Sequence, residues 1–170
     1  MSKPRLKKEL QKLSKEQLIE QILDLYDTNK SVKEFYNFYL NPRDEKGLAE
    51  KYKKIILNEF NVQNPMRAGL KFSVAKKAIS DFKGLSPSVE SLADLMLTLP
   101  EAACQFTYEY GDMTESFYTS AENNFETALK FISANGLLSE FKLRAEQCMK
   151  WASGFSDEID DIYEQYYSNF

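Results

Sequence analysis

Residues 87–111, PSVESLADLMLTLPEAACQFTYEYG, decide the fold class of this chain. When the stretch is wound as a helix, its apolar side chains cover most of the circumference, which is typical of a helix buried on several sides. Ser86-Pro87 has the pattern of an N-cap followed by proline, and Gly111 that of a terminating glycine. Pro100 predicts a kink or a division into two helices, because proline lacks a backbone N–H. The sequence therefore predicts a central, largely buried helix from Pro87 to about Tyr110.

Amphipathic helices are predicted on both sides of this stretch. Apolar residues recur at helical spacing over most of the chain, and no strand pattern exceeds a few residues. Three pairs with capping-box spacing predict helix starts: Ser14 with Gln17, Ser31 with Glu34, and Asp112 with Glu115. The predicted fold is all-α, with eight or nine antiparallel helices stacked as helical hairpins in a single domain over residues 1–170. A HEAT/armadillo-like solenoid and an irregular bundle both fit this pattern.

Composition excludes several classes of site. The chain has 170 residues, no histidine and two cysteines, Cys104 and Cys148, which form no C-x-x-C pair. Serine–histidine and cysteine–histidine catalysis and histidine-containing metal sites are therefore excluded, and a zinc site built from cysteine alone needs four. The cysteines lie on apolar helical faces and are predicted to be core residues. We predict no catalytic residue, metal or cofactor; enzymatic activity is left open, with Glu109 and Asp112 the least unsuitable carboxylate pair.

The beginning of the chain and its hydropathy predict a location. Met1-Ser2-Lys3-Pro4-Arg5 is basic, but no apolar core of a signal peptide follows it. No stretch approaches the about 20 apolar residues of a membrane span. We therefore expect a cytoplasmic protein that does not bind a membrane.

Charge is divided unevenly along the chain. Residues 1–83 carry 18 basic and 11 acidic side chains, whereas residues 84–170 carry 4 and 15, giving net charges of +7 and −11. Such asymmetry is an argument about partners rather than about fold. It predicts a protein partner, or self-association in which the basic half of one copy meets the acidic half of another.

The basic half contains one candidate binding patch. Arg67 and Lys71 precede a predicted helix, and Lys76 and Lys77 lie within it. A helix N-terminus with nearby cations can hold a phosphate or carboxylate, and such a patch also suits an acidic protein. A solvated helix face is the plainer interpretation, because acidic residues are interspersed and the chain has a pI of about 5.1.

The acidic half ends in a candidate docking face. Asp157, Asp160, Asp161 and Glu164 are predicted opposite the apolar stripe of the last helix. Carboxylates on the outside of one helix do not converge on a calcium ion, which takes six to eight oxygens. The alternatives are a solvated face and an electrostatic docking surface.

Tyr110-Gly111-Asp112 is interpreted as a structural elbow between two helices. The glycine supplies a left-handed conformation, the tyrosine packs against it, and the aspartate caps the next helix. A catalytic or metal-binding Asp112 is the sharper alternative.

The segments LKKELQKLSKEQLIEQILDLYDTNKSVKEFYNFYLNP, KKAISDFK and FTYEYGDMTESFY resemble a bacterial family of small helical proteins, domain of unknown function family 6155. The resemblance extends from Leu6 to the final helix. Its most specific residues are Ser14, Val32-Lys33-Glu34-Phe35, Asn41-Pro42, Phe106-Thr107 and Tyr110-Gly111-Asp112. The resemblance implies an all-helical single domain and brings no activity, cofactor or catalytic residue with it.

These observations favour a non-enzymatic helical scaffold that mediates protein–protein interaction. The alternative is a nucleic-acid or anion-binding accessory protein that uses the basic N-terminal half. Steep weakening of binding by salt would be the signature of the alternative.

Overall fold

The computed structural model describes residues 2–41 and 44–168, which form α-helices joined by short connections. In this part of the chain there are nine α-helices and no strand. The helices are α1 (Lys3–Leu10), α2 (Lys15–Thr28), α3 (Lys30–Leu40), α4 (Glu45–Glu59), α5 (Phe72–Lys83), α6 (Val89–Tyr110), α7 (Glu115–Ala134), α8 (Leu138–Ala152) and α9 (Asp157–Tyr167). A single 3-10 turn, Pro65–Arg67, lies between α4 and α5.

Contacts divide the chain into two compact units, with the boundary between residues 43 and 44. In the N-terminal unit, α2 and α3 pack as a hairpin. The phenolic O–H of Tyr26 on α2 donates to Oδ1 of Asn37 on α3 at 3.0 Å, and the rings of Tyr26 and Tyr36 meet edge to face. No side chain of residues 2–41 is buried, so this unit has no interior of its own.

The second unit is a bundle around α6. This helix packs against α4, α5, α7 and α8, and α9 covers α7 and α8. A solenoid would restrict each hairpin to its neighbours in the stack, so the arrangement is a bundle. Its main core joins the apolar faces of four helices, with members such as Leu97 and Cys104 of α6, Phe125 of α7, Phe141 of α8 and Ile159 of α9.

Aromatic rings fill the other side of this unit. Phe60 at the end of α4, Phe72 at the start of α5 and Phe117 on α7 form a triangle of edge-to-face contacts, with ring centroids 5.0 to 6.1 Å apart. Such contacts stabilise by about 0.5–1.5 kcal/mol each beyond the apolar area that they bury. They fix the ends of α4 and α5 against α7.

The central helix differs from its prediction at its start and at Pro100. It begins at Val89 with Ser88 as N-cap, whose Oγ accepts from the N–H of Ser91 at 3.2 Å, so the predicted start at Ser86-Pro87 is wrong. Pro100 lies inside one continuous helix and does not split it. Pro100 is fully buried, so the side chains packed around it hold the backbone at the position where proline has no N–H to donate.

The capping predictions have mixed outcomes. Ser14 and Gln17 form the complete reciprocal box at the start of α2, which confirms that prediction. The box predicted at Ser31 and Glu34 is wrong, because Asn29 caps α3 and its Oδ1 accepts from the N–H groups of residues 31 and 32. Asn29 directly precedes α3, so its side chain reaches the free N–H groups at the start of that helix.

The all-α fold class is confirmed, as a bundle. The prediction of one domain over residues 1–170 stays a prediction, and the two units are described separately below. The predicted helix stop at Asn41-Pro42 lies partly outside the described residues; α3 ends at Leu40.

Candidate interaction surfaces

The N-terminal unit carries the most exposed apolar surface of the described chain. Seven of the thirteen large apolar side chains that are exposed in residues 2–41 and 44–168 belong to this unit. They are Leu6 of α1, Ile19, Ile22, Leu23 and Leu25 of α2, and Tyr39 and Leu40 of α3. Single exposed apolar residues are ordinary, but a cluster of them marks an interaction site.

The pattern of α2 explains why its apolar face stays open. Its apolar residues form one broad arc, and its four acidic residues, Glu16, Glu20, Asp24 and Asp27, occupy the adjoining side. Tyr26, which joins α2 to α3, and Leu18 are the half-buried members of the arc. A two-helix hairpin cannot cover a face this wide, so most of the arc is left in solvent.

The α3 helix adds aromatic rings to the same unit. Phe35, Tyr36 and Tyr39 contact one another with centroids 5.3 to 6.5 Å apart. The ammonium group of Lys33 lies 5.2 Å from the centroid of the Tyr26 ring. Tyr39 is 67% exposed, so the aromatic cluster is accessible at its outer edge.

An open apolar groove lies between α1 and α2. Leu6, Leu10 and Leu18 line it together with Lys3 and Lys7. Residues 2–15 carry six basic side chains and one acidic one, whereas residues 16–28 carry four acidic side chains and no basic one. The unit therefore has a basic part and an acidic part that are adjacent along the chain.

The second unit contains an ion-pair network that the sequence analysis missed. The guanidinium of Arg144 on α8 donates to Asp94 and, through Nη2 at 2.5 Å, to Glu101, both on α6. Its Nη2 also donates to the hydroxyl of Thr98 at 3.2 Å. Lys53 of α4 reaches both oxygens of Asp94 at 3.3 Å. We call these five residues the Arg144 network.

The charges of the Arg144 network balance one another. Burial alone would lower the pKa of Arg144, but hydrogen bonds and charge from Glu101 and Asp94 outweigh it, so the pKa is raised. The guanidinium also lies 5.8 Å from the centroid of the Phe141 ring. With its donors directed at protein acceptors, Arg144 is suited to joining α4, α6 and α8 rather than to holding a ligand.

A sequence signal for this network exists. Asp94, Thr98 and Glu101 are the polar residues at spacings of four and three in the most apolar helix of the chain, so they share one face. Arg144 is the only arginine after residue 67. Carboxylates on a largely buried helix need a cationic partner, and this need could have identified Arg144 from the sequence.

The predicted basic patch lies on the surface around the start of α5. Arg67 ends the 3-10 turn, Lys71 is the N-cap position of α5, and Lys76 and Lys77 are exposed on that helix. Lys77 forms an ion pair with Asp81 at 2.6 Å. The backbone N–H of Lys71 donates to the side chain of Glu59 at 3.1 Å, so a carboxylate already accepts at this helix end.

The predicted acidic face lies on α9. Asp157, Asp161 and Glu164 are exposed, and Asp160 is half-buried, with an Oδ1 that has no hydrogen-bond partner among the described residues. Burial, followed by repulsion from its three acidic neighbours, raises the pKa of Asp160. Within the described chain, no group of three or more side chains is placed to hold a metal ion.

The elbow at residues 110–112 differs in part from its prediction. Gly111 follows the last residue of α6 at a φ of +89° and a ψ of −161°, a positive-φ conformation that favours glycine. Asp112 does not cap α7, since Thr114 occupies the N-cap position; its Oδ1 accepts from the hydroxyl of Tyr118 at 2.7 Å. The hydroxyl of Tyr110 donates to the backbone oxygen of Val62. The α7 helix begins two residues later than the capping box of Asp112 and Glu115 predicts, so the aspartate lies in the loop before the helix.

The two cysteines are buried, as predicted, on α6 and α8. Burial, followed by hydrogen bonding with Cys104, raises the pKa of the Cys148 thiol well above its usual value. Cys148 is therefore a packing residue rather than a nucleophile at neutral pH.

Glu109 and Asp112, the least unsuitable catalytic pair, are both exposed at the end of α6. An open cleft elsewhere on the second unit is lined by residues of α4, α6 and the segment between α4 and α5, among them Asn58, Asn61 and Gln105. No helix in the described ranges has the length and apolar content needed to cross a membrane.

Comparison with known proteins identifies a family but no function. The model of a family described as a family of unknown function, DUF6155, matches residues 1–167, so the chain belongs to that family. No curated protein and no solved structure matches the chain.

Proposed function

We propose that this member of a family of unknown function is a non-enzymatic helical scaffold that binds protein through its N-terminal helices. The second unit has a closed core and the Arg144 network, and we assign it the role of the stably folded part of the molecule. The N-terminal unit provides the surface that contacts the partner.

One observation carries this proposal. Residues 2–41 bury none of their side chains, yet they expose seven large apolar ones. Burial of apolar area stabilises by about 25 cal/mol per Å², so leaving such a face in water forgoes stabilisation that a partner can supply. The contrast with the second unit, whose helices bury a continuous apolar core, supports a face that is kept for binding.

The experiment that tests this proposal is affinity capture of the tagged chain from its native lysate at low salt, with and without nuclease. The test variant is Leu25→Glu/Leu40→Glu, since these side chains are 51% and 70% exposed. The matched control is Met66→Glu/Leu143→Glu, which changes two apolar residues of the second unit that are even more accessible, 93% and 79% exposed.

We expect the wild type and the control to retain the same protein in both nuclease arms, and the test variant to lose it. Retention by all three chains would overturn the N-terminal surface as the binding site. Recovery of nucleic acid that Lys76→Glu/Lys77→Glu abolishes would overturn the scaffold proposal in favour of the basic patch. No contact among the described residues favours that second function, because Lys77 is paired with Asp81.

A further inference from the structure

We propose that the partner of the N-terminal unit is a second copy of this chain, with the α2 helix of each copy lying in the groove between α1 and α2 of the other. This inference rests on the proposed function, since it names the occupant of the same apolar face.

The groove specifies the kind of helix that fits it. It is lined by three leucines, Leu6 and Leu10 of α1 and Leu18 of α2. Lys3 and Lys7 of α1 also line it. An occupant therefore needs an apolar stripe for the leucines and an acidic flank on the side that faces α1.

The α2 helix has both features. Ile19 and Leu23 are one turn apart and are 46% and 56% exposed. The acidic flank lies beside them, because Glu16, Glu20 and Asp27 differ from Leu23 by three, four or seven residues and so share its side of the helix. None of these three carboxylates has an ion-pair partner within the described residues of the chain.

The α2 helix of the same chain cannot occupy this groove. It already forms one wall of the groove through Leu18, and only the four residues 11–14 join it to α1. A second copy supplies the missing helix without any rearrangement of the first.

A two-fold axis makes the arrangement reciprocal. Each copy contributes one groove and one α2 helix to fill the other groove, so the assembly is complete with two chains. Each α2 helix then lies against the α1–α2 groove of the other copy, while its Tyr26 stays packed against α3 of its own chain. The net charge of +5 on residues 2–15 meets the net charge of −4 on residues 16–28 of the other copy twice.

The first test measures the mass of the purified full chain by light scattering from low to several hundred micromolar. We expect the wild type and Leu143→Glu to approach the mass of a dimer, and Leu23→Glu to stay monomeric with an unchanged circular dichroism spectrum. A monomeric wild type at every concentration would overturn the inference, and so would a dimer that Leu23→Glu leaves intact.

The second test exchanges the charges. Lys3→Glu/Lys7→Glu places acidic side chains on both sides of the interface, and Glu20→Lys/Asp27→Lys places basic ones there. Each variant alone should dimerise at least about tenfold more weakly, because like charges then oppose one another. An equimolar mixture of the two should recover the wild-type affinity, since both contacts again join opposite charges. Failure of the mixture to recover it would overturn the proposed register of helices.

Matched controls reverse two exposed charges on the second unit, as Lys76→Glu/Lys77→Glu and Glu158→Lys/Asp161→Lys. Dimerisation that these weaken equally would reflect net charge alone and would overturn the inference. A monomer that sediments with anionic lipid vesicles would overturn it in favour of a lipid surface. A monomer that still loses its captured protein with Leu25→Glu/Leu40→Glu would end this inference and leave the proposed function standing.

Discussion

At the scale of single residues, Arg144 connects the sequence to the fold of the second unit. It joins two carboxylates of α6, of which Asp94 also pairs with Lys53, whereas Glu101 would otherwise lie partly buried without an ion-pair partner among the described residues. A broken buried pair is costly chiefly because it strands the remaining charge, whereas replacing all partners by neutral groups is far less so. Replacing Arg144 alone should therefore cost more stability than replacing Arg144 and both carboxylates together.

Arg144→Met should lower the free energy of unfolding by about 2 kcal/mol, below the cost of breaking a fully buried pair because these side chains are 23% to 33% exposed. Urea denaturation measures this change. Arg144→Met combined with Asp94→Asn and Glu101→Gln should recover part of the loss, and Lys77→Met should change the stability by less than about 0.5 kcal/mol. A loss for Arg144→Met as small as that of Lys77→Met would contradict the role assigned to the network.

Two tyrosines of α9 predict how stability depends on alkaline pH. Burial, followed by the hydrogen bond to Glu146, raises the pKa of Tyr163 to about 12, and burial raises that of Tyr167 to about 12. Unfolded tyrosine ionises near pH 10, so this contribution to stability is complete below pH 10 and is lost as the pH rises to about 12.

We expect the free energy of unfolding to fall between pH 10 and 12. The free energy of unfolding of the variant Tyr163→Phe/Tyr167→Phe, measured by urea denaturation at each pH, should fall less steeply over this interval. Equal slopes for the variant and the wild type would show that these hydroxyl groups do not titrate with folding.

At the scale of helices, the sequence predicts the existence of elements better than their ends. The period of apolar residues locates α6 because that helix is apolar on most sides, and packing then tolerates Pro100 inside it. Helix starts depend on which side chain reaches the free N–H groups, and several adjacent polar residues compete for this role. Asn29 prevails over Ser31 at the start of α3, whereas α7 begins after Thr114, whose side chain makes no capping hydrogen bond, although both rejected pairs have the correct spacing.

The cap of α3 makes this competition testable. Asn29→Ala removes an acceptor that lies 3.0 and 3.3 Å from two backbone nitrogens, so it should destabilise the helix by about 1 kcal/mol. Ser31→Ala should have little effect. Amide hydrogen exchange of residues 30–40 measures both, and faster exchange in Ser31→Ala than in Asn29→Ala would restore the capping box predicted from the sequence.

At the scale of the whole molecule, the sequence predicts the fold class but not where the chain divides. The sequence predicts one domain, and the net charge changes sign near residue 83, whereas contacts divide the chain between residues 43 and 44. Charge patterns reflect solvent and partners, while the division reflects which apolar faces find a neighbour, and that is a property of three-dimensional packing. For the same reason the exposed face of α2 has the periodicity of a core helix, and the sequence analysis alone could not select it as a candidate site.

The proposal that a second copy covers the N-terminal helices is tested most directly by amide hydrogen exchange of the full-length protein at increasing concentration. Protection of residues 3–28, which span α1 and α2, should rise with concentration, because a second copy covers their apolar face, while protection of α6 and α8 should stay constant. Protection of residues 3–28 that is independent of concentration would contradict the account.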